Sequence, residues 1–259
     1  MATITWKGGT GDFNTATLWS TGTVPGVADT AVVDAGSGAS SIALDGADSV
    51  AGLTLDDAAG SLTLSGTLSL NSGVVNLQAG TLTVSGTLSG GTLIPDGGVL
   101  TASGPVAALL GVTVEGTLDL ANSGAQVDVT GLAQSGLTQL DVGANTQIYF
   151  LDPEIFDSQT IEMAGGVLAT DATDPNNGSL FFGPDTTVIQ NAASTVARIG
   201  PDAATSLFGL GQATNEGTLI AAAGTLDLDS EGGGFDSELQ QGPFTNAGTI
   251  EIDAGAAVI

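Results

Sequence analysis

Residues 215–228 read NEGTLIAAAGTLDL, and residues 246–259 read NAGTIEIDAGAAVI. The two stretches align without a gap, because both place Asn-x-Gly-Thr before an aliphatic residue and Ala-Gly before a second alternating pair. Alternation at a period of two puts aliphatic side chains on one face of a strand and polar ones on the other. Asn and Gly accept the left-handed backbone of a tight corner. The repeat therefore predicts short strands joined by tight turns.

The Gly-Thr-aliphatic unit recurs along most of the chain. It begins at Gly66, Gly80, Gly86, Gly91, Gly116, Gly217, Gly224 and Gly248. Uneven spacing between these units predicts coils of variable length rather than a strict ice-binding or pentapeptide array. Residues 103–111 depart from the pattern, since Pro near their start and Gly at their end fit one helical turn or a short cap. Residues 145–185 carry aromatics and prolines, so we expect coils with longer protruding loops there.

Composition and charge narrow the class of protein. The chain has 40 Gly, 42% hydrophobic residues and no Cys or His, so it can bury apolar surface but forms no disulfide or His-based triad. Its only basic side chains, Lys7 and Arg198, face 28 acidic ones, a net charge of −26. That charge excludes nucleic acid and anionic membranes as partners and favours divalent cations. No apolar stretch is long enough for membrane insertion.

The densest acidic segment is a candidate calcium site. It surrounds Gly232-Gly233-Gly234 and consists of Asp227, Asp229, Glu231, Asp236 and Glu238. Carboxylate oxygens on a flexible glycine loop suit Ca²⁺, the one cofactor that the sequence suggests. The spacing matches neither the helical calcium loop nor the Gly-Gly-x-Gly-x-Asp nonapeptide. A solvated acidic loop is the alternative interpretation.

Residues 3–34 resemble the opening of large bacterial surface and autotransporter-like repeat proteins. The resemblance rests on Trp6, the turn Gly8-Gly9-Thr10-Gly11, Trp19, Val24-Pro25 and Asp29, with Phe13 where an additional Trp is common. The Asn-x-Gly-Thr repeats are similar to those of filamentous, adhesin-type β-helices. This resemblance implies a right-handed parallel β-helix on the exterior of a bacterial cell, serving adhesion, biofilm matrix or surface assembly.

We therefore expect an all-β chain, a right-handed parallel β-helix (β-solenoid) with an N-terminal capping segment. Residues 1–34 would form the cap or first coil, and residues 35–259 the solenoid. Terminal units of a solenoid must cover its apolar interior, so Trp6, Phe13 and Trp19 are interpreted as the cap. Carbohydrate stacking on exposed Trp rings is the alternative.

The C-terminal repeat raises an assembly hypothesis. It reaches the last residue with no distinctive cap after it, and an uncapped strand edge templates pairing with another chain. We expect head-to-tail association into filaments or layers through Ile252 and Val258, with copies of the chain or other surface and matrix components as partners. A piece of a longer protein is the alternative. The start lacks a basic and an apolar region, so export to the cell surface would proceed without a conventional signal peptide.

Two other function classes stay open. A glycan-binding adhesin module would use the loops of residues 145–185 and work as a monomer. A polysaccharide-degrading β-helix enzyme is the third class. Lyases generally need a basic residue, and the two present lie far apart in sequence, while glycosidases need a carboxylate pair that an acidic chain supplies by chance. We expect no enzyme.

Overall fold

The computed structural model describes residues 2–34, 36, 38–170, 179–201, 212–228 and 244–259. The chain divides into two compact units, one formed by residues 1–119 and 131–137, the other by residues 120–130 and 138–259. Both units consist of parallel strands that wind in successive coils. Two strands, β11 (Thr113–Leu120) and β13 (Ala133–Val142), begin in the first unit and end in the second.

The first unit contains the strands β1 to β11. They are β1 (Thr3–Thr5), β2 (Gly9–Asp12), β3 (Thr30–Asp34), β4 (Ser40–Leu44), β5 (Ala47–Leu64), β6 (Thr67–Val84), β7 (Thr87–Ser89), β8 (Thr92–Pro95), β9 (Val99–Ala102), β10 (Val106–Leu110) and β11 (Thr113–Leu120). A short 3-10 turn covers Ala16–Leu18. Strands β1 and β2 pair with β3 and β4 in parallel, so one coil ends before Thr30, and β3, inside the predicted cap of residues 1–34, already belongs to the next coil.

Coils in the middle of this unit repeat every 20 residues, as the pairing of Ala47 with Thr67 and of Thr67 with Thr87 shows. Strand β6 runs through three walls of one coil and pairs successively with β7, β8 and β9. Inward-facing aliphatic residues meet their equivalents in the next coil, and each such column is buried. One column consists of Ile42, Leu62, Leu82 and Leu100.

The second unit contains the later strands. They are β12 (Gln126–Thr130), β14 (Gln147–Phe150), β15 (Glu154–Phe156), β16 (Thr160–Met163), β17 (Gly166–Thr170), β18 (Ser179–Phe182), β19 (Thr187–Gln190), β20 (Val196–Pro201), β21 (Gln212–Asn215), β22 (Thr218–Ala221), β23 (Thr225–Asp227), β24 (Phe244–Asn246), β25 (Thr249–Ile252) and β26 (Ala257–Val258). Here Thr187 pairs with Thr218 and Thr218 with Thr249, a repeat of 31 residues. The predicted variation in coil length is therefore confirmed.

The predicted all-β parallel solenoid is confirmed, with three local differences. Residues 103–111 contain the strand β10 rather than a helical turn, because Ala107 and Leu109 point into the core at alternating positions. Strands β5 and β6 are 18 residues long, since their pairing continues around corners through register shifts. The gapless alignment of the C-terminal repeats is correct for Thr218 but one residue off for Leu226, which pairs with Val258.

The role expected of Gly and Asn at corners is also partly wrong. Gly66 and Gly86 do not have positive φ, and neither does Asn215. A Cβ built on Gly66 would overlap the carbonyl oxygen of Gly46, and one on Gly86 would overlap that of Gly66. These glycines are needed because the corner of one coil lies directly against the backbone of the previous coil. Gly80, by contrast, has φ of 77° and does use the left-handed region.

Candidate functional site: two strand edges

Aromatic side chains of the first coil form a buried cluster. Trp6, Phe13 and Trp19 are each 0–1% exposed, and both Trp6 and Phe13 meet Trp19 edge to face at 5.0 Å between ring centroids. The Trp19 indole N–H donates to the Phe13 carbonyl at 2.6 Å, and the Trp6 indole N–H donates to the Gly9 carbonyl at 3.3 Å. Rings buried to this extent have no free face for a sugar, which argues against the stacking alternative.

The outer edge of β1 is covered by residues 18–20 of the same chain. Strand β1 uses its inner edge to pair with β3. On the outer side the Lys7 N–H donates to the Leu18 carbonyl at 2.8 Å, and the Ser20 N–H donates to the Thr5 carbonyl at 2.8 Å. Trp6 and Trp19 form an antiparallel bridge between these bonds. We call residues 16–20, with their bonds to β1, the edge seal.

Side chains add to the edge seal. The Ser20 hydroxyl oxygen accepts a hydrogen bond from the Thr5 N–H at 3.0 Å, and the Lys7 ammonium donates to the Thr17 carbonyl at 2.9 Å. One of the two basic side chains of the protein is therefore used to hold this segment. Sequence analysis identified the aromatic residues but missed Leu18 and Ser20, because three of the four groups of this segment that bond Thr5 and Lys7 belong to the backbone.

The outer edge of β25 is unpaired within the part of the chain that the structure describes, and we call it the open edge. Strand β25 pairs with β22 on one side and with no further strand among the described residues. Its inward-facing residues continue columns that are buried one coil earlier: Leu219 and Ala221 are 0% exposed, whereas Ile250 is half-buried and Ile252 is 55% exposed. Val258 is half-buried opposite Leu226. Of the two residues predicted for assembly, Ile252 therefore presents more apolar surface.

An asparagine ladder runs towards this open edge. Asn215 is fully buried, and its amide donates to the Asn246 side-chain oxygen at 2.7 Å and to the Gly217 carbonyl at 3.3 Å. The exposed Asn246 repeats the pattern, with its amide donating to the Gly248 carbonyl at 3.2 Å. The Asn of the Asn-x-Gly-Thr repeat thus links one coil to the next and holds the corner glycine's backbone. The sequence signal for this role was that Asn precedes Gly by two residues in both copies of the repeat.

The predicted calcium residues fall mostly outside the described residues, as Asp229, Glu231, Asp236 and Glu238 do. Asp227 lies at the end of β23, where its carboxylate is 3.5 Å from the Arg198 guanidinium on β20. One of the two basic side chains of the protein therefore forms an ion pair with a residue of the predicted calcium segment. The part of the chain that the structure describes contains no group of three or more acidic side chains placed to hold a metal ion. Calcium binding by the 227–238 segment stays a prediction.

Residues 171–178, within the candidate glycan region, also lie outside the described residues. No helix in the described ranges is long and apolar enough to cross a membrane. The chain matches none of the protein-family models, curated proteins or solved structures with which it was compared.

Proposed function

We propose that the protein is an extracellular structural or adhesive β-solenoid of a bacterial cell surface or biofilm matrix, and that it associates through its strand edges. The observation that carries the proposal is that β25 pairs with β22 and with no further strand among the described residues, which leaves Ile252 55% exposed in a column otherwise buried. Unpaired strand edges with apolar neighbours are the usual template for adding a strand from another chain.

The strongly negative net charge supports a structural role rather than binding of nucleic acid or anionic lipid. A net charge of −26 repels nucleic acid and anionic lipid, while a stack of parallel coils presents long surfaces for contacts with other matrix components. The same charge makes association dependent on salt or divalent cations, since neighbouring copies repel one another when unscreened. Glycan binding through residues 145–185 stays a prediction as the second function.

The assembly test replaces Ile252 and Val258 together with Lys. Two ammonium groups on the open edge would have to be desolvated on pairing, so the double variant should stay folded and sediment as a monomer under conditions where the wild type polymerises. Electron microscopy and sedimentation velocity, each with millimolar Ca²⁺ and with chelator, give the readout.

The matched control is Ile155→Lys. Ile155 is 61% exposed on β15 and points outward, away from the coil interior, so its replacement should leave association unchanged. If the Ile252→Lys/Val258→Lys variant still forms polymers, association through the edge of β25 is contradicted. A wild type that remains monomeric with and without Ca²⁺ would instead favour the monomeric glycan-binding module.

A further inference from the structure

The outward face of the second unit carries two isoleucines between glutamates. Strands β13, β16, β19, β22 and β25 pair in register, each with the next. One outward position in these strands is filled in turn by Asp141, Glu162, Ile189, Ile220 and Glu251. The residues before Glu162, Ile189 and Ile220 point inward and are 0% exposed, which places this position on the solvent side. We call Glu162, Ile189, Ile220 and Glu251 the Glu–Ile column.

The two isoleucines break the alternation of apolar and polar residues. Val188-Ile189 on β19 and Leu219-Ile220 on β22 are adjacent aliphatic pairs, where a period of two predicts a polar residue at the outward position. The inward members are fully buried, whereas Ile189 and Ile220 are half-buried and keep apolar area in contact with water. Covering that area with an apolar side chain of a partner would stabilise a complex.

Carboxylates lie on both sides of this apolar pair. Glu162 is half-buried and accepts a hydrogen bond from the neutral Asn191 amide at 3.2 Å, and Glu251 is exposed. The two basic side chains of the protein are engaged elsewhere, Lys7 in the edge seal and Arg198 in its ion pair. A partner with cations on either side of an apolar residue is therefore complementary to the column in both charge and polarity.

We propose that the Glu–Ile column binds an extended cationic segment of another protein, with the pattern basic-x-aliphatic-x-basic. The sequence has no such segment of its own, because Lys7 and Arg198 are its only basic residues. The contact uses outward side chains and no hydrogen bond of a strand edge. It is therefore independent of the association proposed above and adds a partner of a different kind.

The spacing of the column fits that pattern. Adjacent strands of a sheet lie about 4.8 Å apart, so about 14 Å separates the backbones of Glu162 and Glu251. Alternate residues of an extended segment face the same side at intervals of about 6.8 Å, so the two basic residues of the pattern are also about 14 Å apart. A segment that crosses the strands thus sets its basic residues over the glutamates and its aliphatic residue between Ile189 and Ile220.

Isoleucine methyl NMR with the blocked peptide Lys-Ser-Leu-Ser-Lys tests the inference at low ionic strength. We expect the δ1 methyl resonances of Ile189 and Ile220 to shift saturably, since both side chains would contact the leucine. The resonance of Ile155, which is 61% exposed on β15, should stay in place. Two control peptides, Glu-Ser-Leu-Ser-Glu and Lys-Ser-Ser-Ser-Lys, lack the cations or the aliphatic residue, and each should bind at least about tenfold more weakly.

Glu162→Gln combined with Glu251→Gln removes the two charges and keeps the shape of the side chains. This variant should bind the peptide at least about tenfold more weakly, and its affinity should depend less on NaCl concentration than that of the wild type. The matched control is Asp96→Asn with Glu115→Gln, which removes the same net charge at exposed positions outside the column. It should bind the peptide as the wild type does.

Equal weakening by the two pairs of substitutions would show that net charge alone attracts the peptide, which overturns the inference. An unchanged spectrum at millimolar peptide, or shifts that spare Ile189 and Ile220, would also overturn it. The control peptides keep the test decisive even if the glutamine variant fails to fold. Because the titration is read from the monomer, a wild type that never polymerises would contradict edge association and leave this inference to be judged by its own result.

Discussion

At the residue scale, the glycines of the Gly-Thr unit have two explanations: four of them, Gly80, Gly91, Gly116 and Gly224, have positive φ, and the others are explained by contact with the preceding coil. The sequence pattern marked the corners correctly, yet several of its glycines have ordinary φ angles. Gly66 and Gly86 lie where the backbone carbonyls of the preceding coil come close enough to exclude a Cβ. The need for glycine at these corners depends on the register between coils that lie about 20 residues apart in sequence. Turn propensities consider only neighbouring residues and do not include that register.

Gly66→Ala should therefore destabilise the protein strongly. Its Cβ would overlap the Gly46 carbonyl oxygen, and a backbone atom cannot move away as a flexible side chain can. We expect a loss of about 3 kcal/mol, at the upper end of overpacking costs. Gly124→Ala is the control, since a Cβ there meets nothing within 4 Å and the residue does not have positive φ; it should change stability by less than about 1 kcal/mol. Urea unfolding of both variants checks this, and equal midpoints would contradict the steric explanation.

At the scale of single elements, periodicity predicted strands well and failed where local signals competed with it. Residues 103–111 carry Pro and Gly at helix-like positions, but Val106–Leu110 forms a strand that pairs with β7. The alternation of Ala107 and Leu109 towards the core decided the outcome. The edge seal had no recognisable sequence signal, because most of its bonding groups belong to the backbone and the residues that they bond are more than ten positions away.

The pairing of β21 with β24 gives a prediction about the asparagine ladder. Asn215→Asp would place a carboxylate in a fully buried position, facing the Asn246 oxygen and the Gly217 carbonyl that now accept from its amide. We expect a loss of about 3 kcal/mol at neutral pH. Burial would raise the pKa of the new carboxyl in the folded state, so the ionisation part of this loss should vanish below about pH 4 and grow as pH rises.

Asn246→Asp is the comparison for that experiment. Asn246 is exposed, and an aspartate there keeps the oxygen that accepts from Asn215. Its effect should be small at every pH. Thermal unfolding of both variants between about pH 3 and pH 8 is the measurement. A pH-independent loss in Asn215→Asp would show that the lost amide bonds, and not the buried charge, dominate.

At the scale of the whole molecule, the dominant sequence feature is the excess of negative charge, and folding into coils leaves repulsion between carboxylates in place. Arg198 and Asp227 form an ion pair at 3.5 Å, in a chain of net charge −26. The composition predicted this imbalance directly, whereas the placement of Asp227 beside Arg198 required the pairing of β20 with β23. Self-repulsion among the remaining carboxylates should lower stability at low ionic strength.

Added salt should therefore stabilise the fold. Raising NaCl from about 10 mM to about 1 M shortens the screening length from roughly 30 Å to roughly 3 Å, and Tm should rise by several degrees. If the 227–238 segment binds calcium, CaCl2 should raise Tm more than NaCl at equal ionic strength, and Asp236→Asn with Glu238→Gln should remove the difference. A Tm that is independent of salt would contradict the repulsion argument, and equal effects of both salts would contradict the calcium prediction.

The regular pairing of Ala47, Thr67 and Thr87 also has a mechanical consequence. Because each coil is hydrogen-bonded only to the coils before and after it, an applied force would unfold the coils one at a time. Each turn of 20 residues would release about 70 Å of extended chain. Tension on the molecule would then be absorbed coil by coil, in steps of about 70 Å for the 20-residue coils and longer steps for the 31-residue coils, while the remaining coils stayed folded.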